Sequence, residues 1–349
     1  MTNWATAAAS RTPTDMDLAV WQSEVFEAFQ PALTLIPKLR RQQITSGTTA
    51  RFAKTWKMGS EILEAGAEVL GSDFETGLIE ISLDTNPLVA SQAIYDIDAM
   101  LAQYEFRSPV MNAMGAELAK QAEQRAWSLL VQAAIVANDA DDSIPETITD
   151  STLGISAGVL TDNDLDVLTY GAPSSANIAL AVETLLEGID AAQNGMDDKD
   201  VPKDRYCAVG NRLFNACRKY GLPSSPVTQS SNTFGGVPNL NPFGAPAITQ
   251  GVAYNAELDY NGVKIFNMPA GRWGSAAVST GPTKWRYTTA NVEAIVFHAD
   301  ACAWVEKYGV TMETQRFANK LQWLTLAHTM HGGGTLRPYC CVLLKGNGS

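Results

Sequence analysis

The sequence predicts an α+β fold. Three observations lead there. One long helical stripe runs through residues 109–137, strand-like runs gather on either side of it without regular strand–helix alternation, and no internal repeat is present. A doubly wound sheet and a repeat array are both poor matches to that order. With 349 residues, 46% of them hydrophobic and 18% charged, the chain falls among folded proteins and suits about two domains or one core with large additions.

Residues 1–17 are small and polar, as in a draped arm. Leu18, Trp21, Val25 and Phe29 then recur at helical spacing, which predicts a helix over 17–30 that ends before Pro31. Ala50, Phe52, Lys54 and Trp56 alternate with Arg51, Ala53 and Thr55, and "LIEISL" (78–83) is a second strand-like run. Together they predict a two-stranded ribbon over 46–87. Such a ribbon is marginal in water alone and must lie on something.

The clearest element follows. Ser108 suits a helix cap and Pro109 a first turn. Val110, Met114, Leu118, Ala122, Ala126, Leu130 and Ala133 form one apolar stripe, with Trp127 and Leu129 beside it. A helix over 109–137 would be a rod of roughly 43 Å.

The acidic, turn-rich stretch 137–166 reads as a surface insertion. A helix is expected at 175–193, with Ile178, Val182, Leu185, Leu186 and Ile189 inward. "DRYCAVG" reads as a buried strand feeding the helix "NRLFNACRKYG". Residues 220–256 hold no charge but five Pro and five Gly, which suits a segment packed against protein. Further strands are expected at 262–267, 284–288, 292–297, 301–313 and 320–330, and "RPYCCVLLK" gives a last one. Gly332–Gly334, between two strand-like runs, reads as a sharp change of direction at positive φ.

Charge is segregated. The net charge is −12, yet residues 38–57 carry +6 with no acid and residues 58–106 carry −10 with no base. Overall acidity argues against wrapping nucleic acid. Separate patches of opposite sign suit copies that attract one another. Five cysteines without a C-x-x-C spacing read as reduced, buried thiols. No window of about 18 consecutive apolar residues occurs, so no membrane span is expected. The N-terminus lacks the pattern of a secretory signal, so the chain is expected to stay where it is made.

Two motifs suggest chemistry. Gly154-Ile-Ser-Ala-Gly158 fits the nucleophile pattern of serine hydrolases, and His331-Gly-Gly-Gly334 fits their oxyanion loop. However, Ser156 follows a polar stretch where a core strand is needed, and the glycine loop comes after the serine instead of before it. His328 and His331 would share a face for a metal only on a helix; on a strand they diverge, and no third ligand is evident. No phosphate-binding glycine motif occurs.

"ITSGTTARF" (44–52), "IYDIDAM" (94–100), "YEFRS" (104–108), "VPKDRYCAV" (201–209) and "MHGGGTLRPYCCVLLK" (330–345) occur in that order. In this set the chain resembles the major capsid proteins of short-tailed (podovirus, T-seven-like) double-stranded DNA bacteriophages, which have the Hong Kong 97-type fold. It departs from them at Tyr339-Cys340-Cys341 and in the uncharged stretch 220–256.

The resemblance implies a non-enzymatic shell protein without cofactors. Residues 1–45 would be an N-terminal arm and 46–87 an extended loop lying on an adjacent subunit. Residues 88–170 with 301–331 would form a peripheral domain with 109–137 as its spine helix, and 171–300 with 332–349 an axial domain. Implied partners are further copies in pentamers and hexamers, a separate scaffolding protein, a portal protein, in some relatives a decoration protein, and packaged DNA without sequence-specific binding. The implied location is the virion capsid, assembled in the host bacterial cytoplasm. An encapsulin-like nanocompartment shell is the alternative, and a serine hydrolase using Ser156 a remote one. From the charge segregation, Arg40, Arg41, Arg51, Lys54 and Lys57 are expected to meet Glu61, Glu64, Glu68, Asp139 or Asp141 of neighbours, with Trp56 and Phe74 as apolar contacts of the same ribbon.

Overall fold

The computed structural model describes residues 15–55, 76–95, 107–135, 148, 152, 155–162, 175–220, 257–269, 271–272, 277–279 and 282–346. Helix α1 (Asp15–Ala32) is followed by β1 (Arg40–Gln43), the ribbon strands β2 (Thr49–Thr55) and β3 (Thr76–Ser82), and β4 (Leu88–Tyr95). Helix α2 (Arg107–Ile135) comes next, then the short strands β5 (Ile155–Ser156) and β6 (Val159–Thr161). Helix α3 (Ser175–Asp198), β7 (Arg205–Gly210), α4 (Asn211–Tyr220), β8 (Leu258–Tyr260), β9 (Val263–Met268) and β10 (Val292–His298) continue the chain. The long strands β11 (Cys302–Phe317) and β12 (Gln322–Thr335) and the closing β13 (Cys341–Lys345) complete it. The fold is α+β, as the order of sequence patterns predicts.

The strands form three sheets. The first has the order β1-β11-β12-β4, with β1 parallel to β11 and the other pairs antiparallel. The second runs β5-β6-β13-β10-β7-β9-β8, and the third is the ribbon β2-β3. In the ribbon Thr49 faces Ser82 and Thr55 faces Thr76, so its described part is the hairpin the alternation predicts. Two tight turns in the second sheet, Ala157-Gly158 and Asn261-Gly262, have both central residues at positive φ, which matches the twist of the flanking strands.

Helix α2 joins the sheets. Its predicted stripe is buried from Met114 to Ala133, and around Trp127 the neighbouring positions are buried as well. One main core takes in α2, α3, α4 and the inner strands of the second sheet. A second cluster, Val25, Met111, Met114, Leu118, Val310, Met312 and Ala327, packs α1 and the start of α2 on one face of the first sheet. Each large side chain buried this way contributes about 1.5–3 kcal/mol. Among the described residues no helix is long and apolar enough to cross a membrane, and all five cysteines are buried free thiols.

Several expectations need correction. Helix α1 carries Pro31 in its last turn and ends at Ala32; near the C-terminus the bond lost to proline is local and the helix need not stop before it. Helix α2 starts at Arg107, which places Ser108 inside the first turn. The stretch 137–166 is not simply a surface insertion, because Ile148, Ile155 and Leu160 are buried and β6 lies parallel to β13. Residues 284–288 are not a strand: Thr283–Trp285 is a short 3-10 helix, and Val278 and Tyr287 form an isolated bridge. Gly332–Gly334 do not turn; β12 continues through them to Thr335. The uncharged segment 221–256 lies outside the described residues.

The long hairpin has two register shifts near its middle. Glu306 pairs with His331, Tyr308 with Met330 and Thr311 with His328. Strand β11 therefore gains one extra residue twice, which bends it locally.

Candidate functional site

The ribbon and its root are the features that reach away from the main core. On one ribbon face Ala50 and Phe52 oppose Ile81 and Ile79. Ala50, Phe52, Ile81, Ile44 and Leu83 pack with Ala303, Val305 and Leu336 of the first sheet and its exit. On the other face Arg51 opposes Glu80 and Ala53 opposes Leu78. That face is open: Leu78 is 66% exposed, and the Arg51–Glu80 pair at 2.8 Å is exposed on both sides, where an ion pair holds little.

The glycine run explains how the ribbon approaches so closely. A Cβ on Gly332 would lie 2.5 Å from the Ser82 carbonyl oxygen and 2.8 Å from the Leu83 Cα. On Gly334 it would meet the Ile81 side chain at 2.9 Å, and on Gly333 the Leu129 side chain at 2.8 Å on the opposite face. The glycines provide clearance on both faces of β12, and their φ angles are not in the left-handed region.

Past Ser82 the chain runs along the edge of β12, with the Asp84 N–H donating to the His331 carbonyl at 3.1 Å. The Asp84 carboxylate then accepts from three side chains. Lys284 Nζ lies 3.0 Å from Oδ1, Trp285 Nε1 2.8 Å from Oδ2, and Arg125 Nη1 3.4 Å from Oδ2. Lys284 Nζ also donates to the Ser82 carbonyl at 2.9 Å. Arg125 Nη1 lies 3.0 Å from His331 Nε2. A guanidinium has no acceptor, so this imidazole nitrogen accepts and the ring is neutral. Burial, with Arg125 and Lys284 beside it, holds His331 down to about 3.

A second anchor fixes the segment before β1. Glu123 of α2 is fully buried. Its carboxylate accepts from the N–H groups of Thr34 at 2.9 Å, Leu35 at 2.9 and 3.0 Å and Ile36 at 3.2 Å, and from the Thr34 hydroxyl at 3.0 Å. These are N–H groups at the start of the 3-10 helix Ile36–Lys38, which its own turn cannot satisfy. Burial pushes Glu123 above the ordinary carboxylate range, and the N–H groups pull it part of the way back.

Three of the cations singled out in the sequence, Arg40, Arg41 and Arg51, have partners in their own chain. Arg40 pairs with Asp300 at 3.1 Å, and Arg41 with Glu306 at 3.0 Å. Arg40 and Arg41 remain about half exposed, at 51% and 45%. Lys54 lies in β2. Trp56, Lys57, Glu61, Glu64, Glu68, Phe74, Asp139 and Asp141 lie outside the described residues.

No family model matches the sequence, and no curated protein does. Solved structures do match. The capsid of cyanophage P-SCSP1u aligns at TM-score 0.63 and 20% identity, covering 89% of this chain and 87% of that one. The mature capsid of bacteriophage PhiM1 aligns at TM-score 0.63 and 13% identity, covering 91% and 88%. The capsid of a native GTA particle aligns at TM-score 0.51 and 14% identity, covering 91% of each. The chain has the Hong Kong 97-type phage capsid fold.

Within this capsid fold the hydrolase pattern has another explanation. Ser156 ends the two-residue strand β5 and opens the hairpin to β6 through Ala157 and Gly158. It does not sit on a strand-to-helix elbow. The two histidines also diverge. His331 stacks on Trp304, while His328 sits within 3.3 Å of the Thr311 hydroxyl and edge-on to Tyr308. Among the described residues no group of three or more His, Cys, Asp or Glu is placed to hold a metal. Asp84, Arg125, Lys284, Trp285 and Glu123 escaped the sequence reading, because each belongs to an unremarkable local pattern and acts across distant chain.

Proposed function

We propose that this chain is the major capsid protein of a short-tailed, T-seven-like double-stranded DNA phage, and that its copies build the icosahedral shell around the genome. The observation that carries this reading is the ribbon. It is rooted firmly at one end and turns an open face, with Leu78 two-thirds exposed, away from its own chain. A closed shell needs one subunit to make different contacts that repeat, and many modest contacts then sum to a stable container. Likeness to phage capsid structures over about nine-tenths of the chain supports it.

In this reading Arg40, Arg41, Arg51, Lys54, Trp56, Lys57, Glu61, Glu64, Glu68 and Phe74 line contacts between copies. The half-exposed Arg40 and Arg41 keep donors for a neighbour beyond their own Asp300 and Glu306. Residues 88–170 with 301–331 serve as the peripheral domain and 171–300 with 332–349 as the axial one. A scaffolding protein, a portal and, where present, a decoration protein are further partners. Assembly takes place in the host bacterial cytoplasm.

Negative-stain microscopy of the expressed chain, with and without a scaffolding protein from the same genome, tests the proposal. Closed shells are the expected result, and a solitary soluble monomer under both conditions overturns it. Arg40→Glu with Arg41→Glu should lower shell yield while the chain stays folded. Purified particles that hold protein cargo and no DNA would indicate a nanocompartment shell instead.

A further inference from the structure

We propose that Asp84 is the positioning residue that sets the direction in which the ribbon leaves the body. The apolar root of the ribbon is packed against Ala303, Val305 and Leu336. Contacts of that kind are non-directional and tolerate sliding. The exposed Arg51–Glu80 pair lies within the ribbon itself and fixes nothing relative to the body. The leg before β2 is held by main-chain bonds of β1 and Ile44 to β11; on the β3 leg the directional contacts are concentrated at Asp84, where the indole of Trp285, the ammonium of Lys284 and the guanidinium of Arg125 converge on one carboxylate. Charge-assisted bonds of this type carry geometric as well as energetic specificity.

Three features make the residue a pivot and not only a stabilising contact. Its donors come from different parts of the body, Arg125 from α2 and Lys284 and Trp285 from the short helix before β10. Its backbone N–H is tied to β12 through the His331 carbonyl. Ser82, the last residue of β3, is only two residues away, a span of about 7 Å at most, and Lys284 grips the Ser82 carbonyl as well. An error in the placement of Asp84 is therefore passed directly to the end of the ribbon. The neutral His331 belongs to the same arrangement, because it accepts from Arg125 without adding a third positive charge around one carboxylate.

That the ribbon's direction matters for shell building rests on the proposed function; the direction itself can be measured without shells. Nitroxide labels are placed at Leu78→Cys on the open ribbon face and Glu117→Cys on the exposed side of α2, and the five native thiols stay buried. Pulsed dipolar spectroscopy is recorded with doubly labelled chain diluted into unlabelled chain, so that only distances within one copy contribute. The parent gives one narrow distribution. Asp84→Asn broadens it about twofold, as expected when a single anchored pose becomes several. Lys284→Met, which removes a partly exposed donor and leaves Asp84 still paired with Arg125, broadens it too and serves if Asp84→Asn does not fold. Ile189→Val, a core change in α3 remote from the ribbon, lowers the thermal midpoint but leaves the distribution narrow. Unchanged width in both Asp84→Asn and Lys284→Met overturns the proposal. Equal broadening in Ile189→Val also overturns it, since any loss of stability would then loosen the ribbon. Loss of shells with unchanged distances would count against Asp84 alone, and absence of shells in the parent against the proposed function alone.

Discussion

The imidazole of His331 lies nearly flat on the indole of Trp304, with ring centroids 4.6 Å apart and planes 20° from parallel. The same indole donates from Nε1 to Glu306 Oε1 at 2.9 Å, and Glu306 Oε2 receives Arg41 at 3.0 Å. A chain of contacts thus runs from β1 through the long hairpin to Arg125 of α2 and Asp84 at the ribbon root.

Acid should attack this chain first at His331. Its folded pKa, about 3, lies below the unfolded value of about 6.5. The unfolded state therefore binds the extra proton between these limits, and stability rises with pH across them. The contribution is fully present above about pH 6.5 and is lost as pH falls toward 3, by up to about 1.4 kcal/mol per unit. Denaturant unfolding between pH 6 and 5, where ordinary exposed carboxylates titrate little, should show this slope. His331→Gln keeps an acceptor for Arg125 and should reduce it, leaving the part due to His298, which burial also holds down; an unchanged slope would assign the acid sensitivity elsewhere.

Adding one methyl at Gly332 should be costly without straining the backbone. The new Cβ would press on the Ser82 carbonyl and the Leu83 Cα, and main chain cannot rotate away as a side chain can. Gly332→Ala is expected to lose about 1–3 kcal/mol. Gly309→Ala, where nothing lies within 4 Å, should stay within about 0.5 kcal/mol. Equal unfolding midpoints for the two variants would refute the clearance argument.

Glu123→Ala would strand the N–H groups of Thr34, Leu35 and Ile36 in a buried site. We expect a loss of about 3 kcal/mol or more. Hydrogen exchange should localise the first opening to residues 33–39. Glu123→Gln, with one acceptor oxygen left, should fall between parent and Ala variant.

Leu78→Asp separates folding from assembly. The side chain is mostly in solvent within its own chain, so the unfolding midpoint should shift by no more than about 0.5 kcal/mol. Shell yield should drop about tenfold or more, since a defect in each copy is multiplied over many contacts. Normal yield would show that this ribbon face meets no neighbour.

How much of this was legible beforehand depended on the range of the interactions. The stripe of α2 and the alternation of β2 and β3 are local periodicities, and both were read correctly. Gly332–Gly334 were misread because a glycine run signals left-handed backbone only when the cause is local; here the cause is residues 81–83 on one face and Leu129 on the other. Trp285 lies outside any strand because its indole is pinned to Asp84, 201 residues earlier in sequence. Ile148, Ile155 and Leu160 were hidden among acids, where average polarity outweighed three apolar positions. The partners of Arg40 and Arg41, Asp300 and Glu306, lie some 260 residues along the chain, beyond the reach of any charge count by segment.

The two extra residues in β11 leave Trp304 and Met312 on the same side of the sheet, facing α2 and α1. A bulge seats two residues of one strand opposite a single partner, so each insertion is absorbed without exchanging the faces beyond it. Removing Gly309 would heal one bulge and straighten the strand there, with Val310 and Met312 still turned inward. Length in this stretch is adjustable one residue at a time, and what changes is curvature.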